Sequence, residues 1–191
     1  MDKFGRAEWK NFNMAIAMLA TTRSIDPRTK HGCYIVSGKN KPLTLGCNGP
    51  IGGINDDDFC REPPGKYFEI IHAEANAIIN YNGNLDGVTV YVTGHPCAKC
   101  FALLAQKGVK KIVYGPIGCV RLDACKDECE ALERMKEYSH VEFVEFDGDF
   151  WEPLLIMIKY LSTKGILPPK EFVDQIGGLV YNGCEKDETT K

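Results

Sequence analysis

Between Trp9 and Thr22 the apolar residues Phe12, Ala15, Ile16 and Leu19 recur at helical spacing until Asp26-Pro27 breaks the pattern, which predicts a first helix. Two short β-like runs follow, Cys33 to Ser37 and Leu43 to Cys47. The turn-rich residues Gly38 to Pro42 between them predict a hairpin. From Asn48 to Tyr67 the period vanishes into a glycine- and aspartate-rich stretch that reads as one long loop, and loops of that size in compact domains are usually functional. Beyond it the pattern predicts helix Ala73 to Tyr81, strand Val88 to Thr93, helix Ala98 to Lys107, strand Lys111 to Tyr114, helix Asp123 to Tyr138 and strand Val141 to Phe146. This alternation implies parallel strands joined by right-handed crossovers. The expected class is therefore α/β, with a mixed five-stranded sheet between helices.

Residues 1–147 read as one domain. In residues 148–191 the chain changes character: Phe150 to Leu161 predicts a further apolar helix, Gly165 to Pro169 break it, and a short helix and a polar tail, Glu185 to Lys191, follow. This extension is expected to pack on the same domain, with the tail as disordered surface.

The net charge of −3 over 191 residues argues against a nucleic-acid binder, which would show a basic excess and aromatics interleaved with it. No apolar run approaches the ~20 residues of a membrane span, and Met1-Asp2-Lys3 does not open a signal peptide. The nine cysteines are an odd count, and with no export signal they read as reduced thiols in a cytoplasmic protein.

Two of those thiols change the picture. His72-Ala73-Glu74 is followed about two dozen residues later by Pro96-Cys97-Ala98-Lys99-Cys100. His72, Cys97 and Cys100 supply three zinc ligands and leave the fourth tetrahedral position open for water, the arrangement of a catalytic rather than a structural site. Glu74, two residues past a ligand and near a helix start, can take a proton from that water and pass it to a leaving amine. Alone, Cys97-x-x-Cys100 would also fit a zinc knuckle, a redox pair or two core cysteines. No closing fourth ligand lies at zinc-finger spacing, and a redox pair would leave His72-x-Glu74 unexplained. Positive helix ends at both segments would favour thiolates there.

The His-x-Glu and Pro-Cys-x-x-Cys pair resembles the signature of the zinc nucleobase deaminases. With Arg23-Ser24-Ile25-Asp26-Pro27, Gly32, Gly46-Cys47-Asn48-Gly49-Pro50, Asp56-Asp57 and His72-Ala73-Glu74-Ala75-Asn76-Ala77-Ile78, the resemblance from about Trp9 to Phe146 is to the deoxycytidylate (dCMP) deaminases of the cytidine/deoxycytidylate deaminase family. It implies a three-layer α/β/α fold and zinc-dependent hydrolysis of dCMP to dUMP and ammonia, a step toward thymidylate. It also implies a homo-oligomer, commonly a hexamer. Asn48 matches the residue that holds the sugar, though before Gly49 it also reads as a turn asparagine. Ser24, with Arg23, Arg28 and Lys30 nearby, matches a segment close to the substrate phosphate; a solvated basic loop is the alternative. Ala73 would offer backbone groups to the pyrimidine. Tyr114 would line the pocket or serve as a core tyrosine.

The loop after Asn48 resembles the segment where relatives bind a regulatory deoxynucleoside triphosphate, dCTP activating and dTTP inhibiting. Gly49, Gly52 and Gly53 would let backbone amides approach its phosphates and Asp56 or Asp57 would hold Mg²⁺; a plain lid loop is the alternative. Cys47 stands where the family carries an aromatic residue, which leaves fine substrate preference open. A second zinc at Cys60, Cys125 and Cys129 is the weaker reading beside helix burial. The zinc motif is shared by deaminases of dCTP, cytidine and other heterocycles, and a zinc-stabilised binding module without turnover is a further alternative.

Overall fold

The computed structural model describes Lys3, residues 5–118 and 126–166, Phe172 and Asp174. Helix α1 (Trp9–Ala20) runs into a 3-10 turn at Thr21–Arg23, and strands β1 (Gly32–Val36) and β2 (Pro42–Cys47) form the expected antiparallel hairpin. The loop departs from expectation. It holds strand β3 (Gly49–Pro50) and leads into the one-turn helix α2 (Lys66–Glu69) and strand β4 (Ile70–Ile71), with Gly49 opposite Ile71 and Pro50 opposite Ile70. Strands of two residues have no period to reveal them. Pairing one end of the loop to the other makes residues 49–71 a lobe pinned beside the next helix.

That helix, α3 (Ala73–Ile79), precedes β5 (Thr89–Gly94), α4 (Ala98–Gln106), β6 (Lys111–Ile117), α5 (Lys126–Tyr138), β7 (Glu142–Glu145) and α6 (Glu152–Thr163). The start expected for α5 at Asp123, the thiols Cys119, Cys125 and Cys184, and everything predicted between Pro168 and Lys191 other than Phe172 and Asp174 lie outside the described residues.

The five-stranded sheet has the order β2-β1-β5-β6-β7. The β1–β5 pair is antiparallel and β5–β6 and β6–β7 are parallel, so the sheet is mixed as predicted. Successive side chains on a strand face opposite sides. Thus Cys33, Ile35, Val90 and Val92 pack with Ala73, Ala77, Phe101 and Leu104 on one face. Tyr34, Val36, Tyr91 and Val113 pack with Met14 and Ala17 of α1 on the other. Helix α6 lies against α1, and α5 against α4. Burying a side chain the size of Phe101 contributes about 1.5–3 kcal/mol, so the α3/α4 face anchors the two helices that begin at the motif.

One glycine makes the close approach of α3 possible. A Cβ on Gly46 of β2 would collide with the backbone of Ala73 and Ala77. Gly108, at φ +78°, ends α4 in the left-handed conformation that glycine adopts without steric cost.

Candidate active site

Both motif segments sit at helix starts. His72 is the residue before the first turn of α3 and Cys97 the residue before that of α4, both with extended backbone. The Cys97 thiol sulfur accepts from the Cys100 backbone N–H at 3.5 Å, an N-cap made with sulfur. The two helix ends converge. His72 Nδ1 lies 3.5 Å from Cys97 Sγ and 3.4 Å from Cys100 Sγ, and the three ligand atoms all fall within 4.8 Å of one another. Among the described residues no other His, Cys, Asp and Glu side chains group in this way.

The donor set fits a soft or borderline cation. Hydrogen bonding from Cys100 lowers Cys97 to about 4 against the opposing effect of burial, with His72 assisting, so Cys97 is poised as a thiolate. Cys100 is raised, first by the hydrogen bond it gives Cys97 and then by burial. The two thiols thus share their proton unequally, a donor set suited to a cation bound by thiolate.

Glu74, one residue into α3, is only 5% exposed. Burial raises its carboxyl above the ordinary value, opposed by its backbone N–H and by His72. These groups open onto a cleft of about 170 Å³ that Ala73 and Asn48 also line.

Asn48 is 4% exposed and its amide is occupied. Oδ1 accepts from His31 N at 2.7 Å, while Nδ2 donates to Thr29 O at 2.9 Å and to Asp26 Oδ2 at 3.3 Å. What remains free is acceptor capacity on Oδ1. Arg28 reaches the cleft mouth, half-exposed and paired with Glu62 at 2.9 Å.

Other residues singled out in the sequence stand away from the cleft walls. Ser24 is buried beneath them, its hydroxyl accepting from Asp26 N at 3.3 Å, because the chain turns there to leave the 3-10 turn. Lys30 is exposed. Tyr114 stacks on Phe143 at 4.8 Å and meets the edge of His95 at 4.9 Å, so it backs a cleft residue rather than facing the cleft. Gly49 is tied into β3, and Gly52, Gly53, Asp56 and Asp57 are exposed on the lobe. The Cys60 thiol donates to Glu62 O at 3.3 Å, and Cys129 lies on α5.

The cleft also contains residues that sequence reasoning missed. His31 Nδ1 lies 3.2 Å from the Thr93 hydroxyl, which also accepts from Gly32 N at 3.0 Å; burial, then repulsion from His72, lowers the imidazole's proton affinity. His95, one residue before the Pro96-Cys97 pair, could have been flagged by that proximity. Lys66 and Asp26 form a buried ion pair of 2.7 Å. No local pattern announces that pair, because its partners are forty residues apart.

A family model described as the cytidine and deoxycytidylate deaminase zinc-binding region matches residues 7–116, more than half the chain. The chain belongs to that family. Among its members, the deoxycytidylate deaminase of Homo sapiens is 36% identical over 114 residues, covering 56% of this chain and 64% of the relative. That of Mycobacterium phage D29 is 32% identical over 123 residues, covering 57% and 95%. The chain thus spans somewhat less than two thirds of the length of its animal relatives. The solved structure of dCMP deaminase from cyanophage S-TIM5 in complex with dCMP and dUMP superposes with a TM-score of 0.54 at 26% identity, over 73% of this chain and 98% of that one. The α/β fold with its mixed sheet is the fold of these deaminases.

Proposed function

We propose that this chain hydrolyses dCMP to dUMP and ammonia. The observation that carries the reading is the buried Glu74 beside a His72–Cys97–Cys100 cluster at the floor of a cleft sized for a small ligand. The cyanophage relative solved with dCMP and dUMP supports the choice of nucleotide. Zinc held by His72, Cys97 and Cys100 would supply the Lewis acidity that makes water nucleophilic near neutral pH. Glu74 takes a proton from that water and gives it to N3 of cytosine, which makes C4 electrophilic. It then relays the second proton to the exocyclic nitrogen. The C4–N bond breaks and a C4–O bond replaces it, so water and dCMP balance ammonia and dUMP. The raised carboxyl of Glu74 suits both directions of transfer. Ala73 would present backbone to the ring and Asn48 Oδ1 would accept from a sugar hydroxyl.

Regulation by dCTP and dTTP belongs to the same proposal. The lobe from Gly49 to Tyr67 supports it only by its openness: Gly52 and Gly53 are exposed and a Cβ on either would meet nothing within 4 Å, with Asp56 and Asp57 exposed for Mg²⁺, whereas Gly49 is paired in β3. A cytoplasmic homo-oligomer completes the reading. In its favour, Trp9, Leu19, Leu155 and Tyr160 are each more than half exposed on α1 and α6, and no helix among the described residues is long and apolar enough to cross a membrane. The test is ammonia release from dCMP, dCTP and cytidine side by side, with and without dCTP or dTTP in Mg²⁺. Turnover of dCMP above the others is expected; a preference for cytidine or for none would sink the reading.

A further inference from the structure

The sequence puts the candidate phosphate-binding cations on the segment after α1, but the cation enclosed in the cleft wall comes from the opposite side. Lys66, the first residue of α2, is 5% exposed and lines the same cleft as Glu74, Ala73 and Asn48. Its ammonium donates to Asp26 Oδ1 at 2.7 Å. An ammonium carries three N–H groups. One is used by Asp26, and the other two have no partner among the described residues. Water in the open cleft can accept from them, and a phosphoryl oxygen can replace it with a charge-assisted bond.

Asp26, by contrast, is fully engaged. Besides Lys66 it accepts from Arg28 N at 2.8 Å, Thr29 N at 3.1 Å and Asn48 Nδ2 at 3.3 Å. It therefore has firm partners besides Lys66. Asn48 and Arg28, the cleft donors singled out in the sequence, are poorer candidates for an anion. The Asn48 amide protons are both committed, and the Arg28 guanidinium is half-exposed and held by Glu62. The phosphoryl group is the anionic part of a cytosine nucleotide.

We infer that Lys66 receives the phosphoryl group of the substrate and so separates nucleotide from nucleoside. The assignment rests on the dCMP reading above and deepens it. Kinetics of the zinc-loaded protein on dCMP and on deoxycytidine provide the test, with calorimetric binding of dUMP against deoxyuridine giving the same ratio where nucleoside turnover is slow.

Lys66→Met is expected to lower kcat/KM for dCMP by about tenfold to a hundredfold, mainly through KM, as loss of a charge-assisted hydrogen bond requires. Activity on deoxycytidine should fall by less, since the nucleoside never made that contact, so the ratio of the two substrates is the readout. Lys66→Arg should restore most of the nucleotide preference. Asp26→Asn, which keeps the ammonium and removes a negative charge, should retain that preference whatever it does to the absolute rate; these two variants carry the test if Lys66→Met does not fold.

Equal losses on both substrates in Lys66→Met, or loss of the preference in Asp26→Asn, would overturn the assignment and leave dCMP deamination standing. A wild-type protein that turned over deoxycytidine and ignored dCMP would overturn both.

Discussion

Glu74 and Asp26 are two buried carboxylates on one cleft with opposite proton affinities, because their neighbours differ. Burial dominates Glu74 and raises it. Burial would raise Asp26 too, but the Lys66 ammonium and the Thr29 and Arg28 N–H groups outweigh it and hold the carboxyl below 3.8. Glu74→Gln should therefore keep zinc, measured at one per chain by elemental analysis, and lose at least about a hundredfold in turnover, the usual worth of a proton carrier. Cys97→Ala should lose metal along with activity. For Asp26 the folded value is depressed, so its contribution to stability is complete above about pH 4 and vanishes as the pH falls through the lower folded value. Melting curves of wild type and Asp26→Asn should accordingly stand furthest apart at neutral pH and draw together in acid. At this scale the metal cluster was legible because His72-x-Glu74 and Cys97-x-x-Cys100 are each local spacings. Lys66 was not, since a lysine in a polar loop reads as solvated until Asp26 is brought to it.

Helices and strands with a sustained period emerged close to where the pattern put them, with ends shifted by a residue or a few. The exception is instructive. From Asn48 to Tyr67 the sequence shows a loop, while the chain between Gly49 and Ile71 forms two strands of two residues and one helical turn, held by cross-loop bonds such as Ile51 N to Glu69 O at 3.0 Å. Such elements are fixed by closure of the loop on itself, not by alternation along it. The seat of α3 on β2 is the element-level feature most open to test. Gly46→Ala would drive a methyl group into the backbone of Ala73 and Ala77, and α3 also carries Glu74. We expect a loss of about 1–3 kcal/mol in denaturant unfolding, with reduced kcat from the displaced helix. A variant with unchanged midpoint and activity would show that the strand and helix are less closely seated.

At the level of the whole molecule, α1 covers one face of the sheet yet leaves Trp9 and Leu19 exposed, and α6 on its flank exposes Leu155, Met157 and Tyr160. Scattered apolar side chains are ordinary on a surface, whereas a helix that is apolar on several sides signals a partner. Light scattering should find self-association that Leu155→Glu reduces without loss of helical content. The strand order also bears on the chain while it is being synthesised. Of the five-stranded sheet, only the β1–β2 pair can form before residue 89 has been made, and a lone hairpin is marginal in water. Strand β5 fills the place beside β1, and the same short segment ends at Gly94, three residues before Cys97. The thiol pair thus becomes available to His72 only once β5, the middle strand of the sheet order, has been made, while β6 and β7 are still to come.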